Sequence, residues 1–237
     1  MFMCEIKIKV ICPHCLSAKV VKNGQKEHKV QNFLCRNCGK QFLHCYQNNG
    51  ANPSIKKLIV SMLLRNSGIR DIETVLNVSR KCVLNTLLSE AKKCEITPKQ
   101  NHYKSVQIDE HWSYVKEKKK QKRWLIYAYA PETKEVIAYV IGRRDIKTVK
   151  KLYKKLAKIQ IDEICTDNWK AFSNVFAKEN HKIGKAFTKD IEGVNNSLRA
   201  RNRRFVRKTT CFSKRDENHQ AAIAIMFQQR NYQYHTF

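Results

Sequence analysis

The feature that most constrains this chain is the order of apolar runs between residues 104 and 167. Val106-Gln107-Ile108-Asp109-Glu110-His111-Trp112 reads as a strand, which Tyr114-Val115 closes. Lys116 to Arg123 is a charged turn. Two more strand-like runs follow, from Trp124 to Ala130 and from Val136 to Ile141, joined by a turn over Pro131 to Lys134. Residues 146–158 then carry Ile146, Val149, Leu152, Tyr153 and Leu156 at helical spacing. A fourth strand-like run, Ile161 to Asp167, enters after that helix, and a helical crossover returns the chain parallel to its neighbour. A meander of three strands, a helix and a parallel strand sets the middle of the first strand beside the end of the fourth. Asp109 and Asp167 are therefore expected to meet across 57 intervening residues.

That strand order is the order of a ribonuclease-H-like sheet. Glu192 opens a helical pattern with Asn195 and Arg199 on its face, three and seven residues on, beside an apolar stripe of Ile191, Val194 and Leu198. Acids from two strands and a helix can converge on a pair of divalent cations, Mg²⁺ or Mn²⁺, which serve phosphoryl displacement. Asp109, Asp167 and Glu192 are the candidate catalytic and metal-binding set. Glu163, Glu179 and Glu217 are the alternatives for the third acid. Strand alternation is expected to point Glu110 away from Asp109.

The natural phosphodiester follows from charge. Lys and Arg outnumber Asp and Glu by 47 to 20, a net charge of +27, which favours a polyanionic partner. The stretch from Arg199 to Lys208 holds six basic residues in ten, namely Arg199, Arg201, Arg203, Arg204, Arg207 and Lys208. Together with Asn195 it forms a candidate phosphate track. No apolar run approaches the ~18 residues of a membrane span. The start, Met1 to Lys7, lacks a secretory apolar core, so a cytoplasmic protein is expected.

The first block is rich in cysteine. Cys12-Pro13-His14-Cys15 and Cys35-Arg36-Asn37-Cys38 are separated by nineteen residues, which gives four thiolates for a tetrahedral Zn²⁺. Gly39 permits the tight turn of the second knuckle. Val20 to Gly24 and Gln31 to Leu34 read as ribbon strands. Four thiolates leave no open position, so this zinc is structural. His14, His44 and Cys45 fit the spacing less well.

Gln47 to Pro53 reads as a linker, and helical periodicity follows it. Ser54 is the expected N-cap of a helix bearing Ile55, Leu58, Ile59, Met62 and Leu63, which Gly68 ends. Ile69, Ile72, Val75 and Leu76 mark a second helix. Asn77-Val78-Ser79 is a turn and N-cap before Val83, Leu84, Leu87 and Leu88. The tight second turn suggests a helix-turn-helix whose last helix offers Arg80, Lys81 and Asn85 to DNA. The fold class expected is α+β and multidomain. It comprises a zinc ribbon (1–48), a three-helix helix-turn-helix (54–95) and a ribonuclease-H-like α/β catalytic domain with a mixed sheet (104–237).

These residues resemble the transposases of the bacterial insertion-sequence-one family. The resemblance rests on the two knuckles, Lys22-Asn23-Gly24 and Gly39-Lys40-Gln41-Phe42 in the first block. It rests more heavily on Asp109 to Val115, Arg123 to Tyr129, Thr166-Asp167-Asn168-Trp169, Glu192 with Asn195, Leu198 and Arg199, and Phe212-Ser213-Lys214 with His219. It covers nearly the whole chain. It implies a DDE transposase that binds the terminal inverted repeats of an insertion sequence and then cleaves and joins DNA with Mg²⁺. The family's acids carry onto Asp109, Asp167 and Glu192. Thr188 to Ile191, just before Glu192, matches the family pattern less clearly. The implied partners are double-stranded DNA, both repeat and target, and a second copy of the chain, so at least a dimer, in the nucleoid of a prokaryotic cell. Two other readings stay open: a non-catalytic DNA-binding regulator derived from a transposase, and a nuclease of the same sheet that cuts without joining.

Overall fold

The computed structural model describes residues 9–26, 29–206 and 208–233. The start segment read for a secretory core and the basic residue Arg207 lie outside the described residues.

The first block is a three-stranded antiparallel ribbon. It contains β1 (Val20–Gln25), β2 (Gln31–Cys35) and β3 (Gln41–Leu43), in the order β1-β2-β3. Its small core is Cys12, Cys35, Phe33 and Phe42, with the two rings stacked at 5.6 Å. Two ring-sized residues bury little apolar surface, so this block needs a metal to hold it together. Gly39 has φ +69°, and its N–H donates to the Cys35 carbonyl at 2.9 Å, which closes the second knuckle.

Three helices follow: α1 (Pro53–Leu63), α2 (Ile69–Leu76) and α3 (Arg80–Ala91). The N-cap of α1 is Asn52, not Ser54. Asn52 Oδ1 accepts the Ser54 N–H, and Pro53 occupies the first helical position, where its missing N–H costs nothing. Gly68 does not end α1; it is the extended N-cap of α2, and its own N–H donates to Asp71. Asn77 turns left-handed at φ 48°, and Ser79 caps α3 by accepting the Cys82 N–H.

The third block carries the expected sheet. β4 (His102–Tyr114), β5 (Lys122–Ala130) and β6 (Glu135–Gly142) form the meander. Helix α4 (Ile146–Leu156), capped by Asp145, crosses over to β7 (Gln160–Thr166). A short α5 (Lys170–Val175) leads to a fifth strand, β8 (His181–Ile183). The order is β6-β5-β4-β7-β8, antiparallel within the meander and parallel from β4 to β7 and β8. One face packs on α4 and α5 through Val106, Ile108, Ile126, Val149, Leu152 and Phe172. The other packs on α6 (Lys189–Arg201) and α7 (Asp216–Gln233) through Leu125, Tyr127, Ile191, Val194, Leu198 and Phe227.

Helix α7 also ties the blocks together. Ile223, Met226 and Phe227 enter the core beneath the sheet, while Ala221, Ala222 and Ile225 enter the core of α1 to α3 beside Ile59, Ile72, Val83 and Leu87. A bidentate pair anchors its start, with Arg123 Nε and Nη2 donating to Asp216 at 2.7 and 2.8 Å. Fully burying one side chain such as Leu87 contributes about 1.5–3 kcal/mol. The three-helix block is therefore packed onto the sheet's helical layer rather than tethered to it. Among the described residues no helix is long and apolar enough to cross a membrane.

Candidate functional site

The β4–β7 ladder ends with Ile108 opposite Thr166, so the next residues, Asp109 and Asp167, face each other where the ladder stops. Beyond that point, among the described residues, no named strand pairs with this edge of β4, and the next pairing is the isolated Val115–Ser213 bridge. Asp109 Oδ1 accepts the Glu110 N–H at 2.8 Å, supplying the acceptor that a longer β7 would have offered. Asp109 Oδ2 accepts from Asn195 Nδ2 at 2.6 Å, and Asn195 Oδ1 accepts from the Tyr127 hydroxyl at 2.9 Å. Burial is the main cause that pushes the Asp109 carboxyl up to about 7, with the Glu110 and Asp167 charges adding to it and the two hydrogen bonds opposing it.

One expectation is corrected here. Alternation does send Glu110 to the opposite face, toward the segment before α4, yet its carboxylate still joins the cluster. One carboxylate oxygen from each of Asp109, Glu110 and Asp167 lies within 4.8 Å of the other two. The notch past Thr166 is open, so side chains leaving β4 on both faces reach its rim. Arg144 clamps Glu110 Oε1 with Nε at 2.9 Å and Nη2 at 2.6 Å. Burial raises the Glu110 pKa, Arg144 opposes the rise and Asp167 adds to it. Three carboxylates in a half-buried notch, one of them held protonated to about pH 7, form a donor set that fits a hard divalent cation.

Glu192 is exposed in the first turn of α6 and is not in that cluster of three. It stands one turn before Asn195 on the same face, about 4.5 Å along the axis. Gln107 fixes the start of this helix against β4: its Oε1 accepts the Ile191 N–H and its Nε2 donates to Asp190, both at 2.8 Å. The three alternatives are engaged elsewhere. Glu163 pairs with Lys182 at 2.5 Å, Glu179 accepts from the Tyr153 hydroxyl at 2.9 Å, and Glu217 pairs with Arg215 at 2.9 Å.

The residues expected to meet DNA divide into three sets. Arg199, Arg201, Arg203 and Lys208 are exposed. Asn195 is not available to DNA: it is only 4% exposed, and both ends of its amide are occupied by Asp109 and Tyr127. Arg204 also turns inward. Its Nε donates to Ser213 at 2.9 Å, and burial lowers its pKa, because the turn Arg203–Phe205 folds under α6 and seats Phe205 in the core. At the helix-turn-helix, Arg80, Lys81 and Asn85 are all exposed but face two ways. Arg80 pairs with Glu73 and lines a cleft of about 510 Å³ with Arg70, Arg203 and Lys214. Lys81 and Asn85 line an outer hollow with Lys56 and Asn77. One helical step of about 100° separates these directions.

In the ribbon, Cys12, Cys15, Cys35 and Cys38 bring their sulfurs within 4.8 Å of one another, with Cys12–Cys38 at 3.7 Å and Cys15–Cys35 at 3.6 Å. A zinc tetrahedron with ~2.3 Å bonds has sulfur–sulfur edges of about 3.8 Å. The Ser17 backbone N–H draws Cys15 down to about 6. At Cys38 the Lys40 N–H pulls downward, but burial and the neighbouring thiols outweigh it and push the group up to about 11. Four thiols so close cannot all ionise without a cation, which is the condition a structural zinc meets. His14, His44 and Cys45 stand outside this group.

Sequence reasoning missed Gln107, Tyr127, Asp190 and Arg144. Tyr127 alone carried a signal, as a polar-tipped ring in an otherwise apolar strand run.

A family model described as IS1 transposase matches residues 104–233, more than half of the chain. The chain belongs to the IS1 transposase family. A second model, the InsA N-terminal domain with its zinc ribbon, matches residues 6–39. The chain is 40% identical over 114 residues to the insertion element iso-IS1n protein InsB of Shigella dysenteriae, covering 48% of this chain and 86% of that protein. It is 36% identical over 124 residues to the IS1 protein InsB of Shigella flexneri, covering 52% and 94%. The same identity relates it to the IS1 2 protein InsB of Escherichia coli K12, over 52% and 74%. A chain from a simian T-cell lymphotropic virus intasome aligns at a TM-score of 0.37 with 15% identity, over 78% of this chain and 73% of that one, too distant a likeness to argue from. Membership in the IS1 family makes this protein a transposase, with a zinc-ribbon module ahead of its DDE domain.

Proposed function

We propose that this IS1-family protein binds the terminal inverted repeats of its own element and catalyses metal-dependent DNA strand cleavage and strand transfer. The observation that carries the reading is the Ile108–Thr166 register, which leaves Asp109 and Asp167 side by side at an open notch. Asp109, Asp167 and Glu192 would hold Mg²⁺ or Mn²⁺. Such cations activate an oxygen nucleophile and stabilise the charge on the leaving oxygen. Asn195 keeps Asp109 Oδ2 aimed at the notch, and Tyr127 keeps Asn195 from turning. Gln107 holds the start of α6 so that Glu192 stays within a turn of Asp109's partner. Arg199, Arg201, Arg203 and Lys208, all exposed, provide phosphate contacts. Arg80, Lys81 and Asn85 provide the repeat contacts, and Cys12, Cys15, Cys35 and Cys38 hold a structural Zn²⁺. Residues 1–48, 54–95 and 104–237 serve as ribbon, recognition and catalytic domains. Joining two ends requires at least two copies of the chain on DNA.

The test is incubation of purified protein with Mg²⁺ and DNA carrying the ends of its own element, followed by mapping of new 3′ ends and joined products. Asp109→Asn and Asp167→Asn are expected to abolish cleavage at concentrations where end binding is saturated. Wild-type rates from either variant overturn the catalytic reading. Cleavage without any joined product would leave a nuclease.

A further inference from the structure

The notch contains one more acid than the mechanism uses. Glu110 shares the 4.8 Å cluster with Asp109 and Asp167, and its side chain is only 7% exposed. Oε1 is taken by Arg144, whose guanidinium also lies over two indoles, 4.4 Å from the Trp169 ring centre and 5.3 Å from that of Trp124. Oε2 is buried and has no hydrogen-bond partner. A buried carboxylate oxygen without a donor is costly, and chains rarely retain one unless something else satisfies it. Arg144 does not: its two donating nitrogens, Nε and Nη2, both reach Oε1.

We infer that Glu110 is a further ligand of the divalent cation held by Asp109 and Asp167, coordinating through Oε2 while Arg144 holds Oε1. This rests on the metal-site reading above. Arg144 has two effects. It fixes the carboxylate's orientation, and its charge tempers an otherwise crowded set of anions, so a third acid can sit in the notch before the cation arrives. Trp124, Arg144 and Trp169 come from β5, the loop after β6 and the segment after β7, so the clamp exists only once the sheet has assembled.

The test measures Mn²⁺ uptake by calorimetry and electron paramagnetic resonance on the full-length, zinc-loaded chain without DNA, so that its readout is independent of turnover. Glu110→Gln keeps the shape and the Arg144 contact but weakens a metal bond; it should bind Mn²⁺ roughly tenfold more weakly or worse. Arg144→Met removes the clamp's charge but leaves the ligand; it should bind Mn²⁺ at least as tightly as wild type. Glu110→Gln binding within about twofold of wild type overturns the inference. So does a parallel loss in both variants, which would make Glu110 merely Arg144's anchor. So does absence of Mn²⁺ uptake by the wild-type chain. The two readings fail differently: if Asp109→Asn loses Mn²⁺ and cleavage while Glu110→Gln keeps its affinity, only this inference falls.

Discussion

A buried carboxylate raised to about 7 makes Asp109 a measurable burden on folding when no cation is bound. Between its ordinary value of 3.8 and about 7, Asp109 is ionised in the unfolded chain but protonated in the folded one. The folded state therefore binds more protons, and stability falls as pH rises through that window. Above pH 7 the full cost applies, roughly 4 kcal/mol for a shift of this size. Asp109→Asn removes the ionisation. It also loses one of two acceptor oxygens, those now used by Glu110 N–H and Asn195 Nδ2, at a cost of about 1 kcal/mol. The net gain at pH 8 without Mg²⁺ is roughly 3 kcal/mol, a rise in Tm of about 6–12 °C for a chain of this size. At pH 5 the ionisation cost falls to less than half of that, so the lost hydrogen bond offsets most of it and the shift shrinks to about a degree or two. Added Mg²⁺ should reverse the order at pH 8, raising the Tm of wild type and leaving the variant unmoved, because the cation neutralises the charge that burial penalises. Differential scanning fluorimetry at pH 5 and 8, with and without Mg²⁺, reads all four conditions. A variant less stable than wild type at pH 8 without Mg²⁺ would refute the reasoning. So would an equal Mg²⁺ response in both proteins.

Four other outcomes are expected. Cys35→Ser should lose the zinc that metal analysis finds in the wild-type chain and unfold the ribbon, whereas a variant that keeps both would sink the tetrathiolate site. Asn195→Ala should leave the Tyr127 hydroxyl and Asp109 Oδ2 without their partner, costing about 1–3 kcal/mol in denaturant melts and lowering the cleavage rate more than end binding. Replacing Arg80, Lys81 and Asn85 together should cut preference for the terminal repeat more than general DNA affinity, and the general affinity should fall steeply with salt; an unchanged preference ratio in gel-shift titrations would misplace the recognition helix. Glu192→Gln should abolish cleavage while end binding persists; retained cleavage, with loss in both Asp variants, would shift the third acid to Glu110, the only other acid gathered at the notch among the described residues.

By itself the sequence determined what local pattern can encode. The two knuckles announce their metal because four thiolates at that spacing have little else to do. The runs at 106–112, 124–130 and 136–141 and the periodicity after Ile146 yield the meander, the crossover and hence the meeting of Asp109 with Asp167, because crossover connectivity leaves few topologies open. Asn77 and Ser79 mark the turn before α3 because asparagine tolerates the left-handed backbone there and the Ser79 hydroxyl caps the helix. Tertiary structure alone decided the rest. Helix α7 has no readable stripe, since it is buried on one side by the sheet and on another by α1 to α3. Asn195 looks like a DNA contact on a helical wheel and becomes a buried brace only because Tyr127 and Asp109 close on it from two strands. Arg204 reads as one basic residue among six until the Arg203–Phe205 turn folds it inward. Glu110 obeys strand alternation and still joins the acids, because alternation describes directions within a sheet and β7 stops one residue too early to make a sheet there. Contacts that depend on where a neighbouring strand ends, or on which helix covers which face, join residues far apart in the chain, and no local periodicity records them.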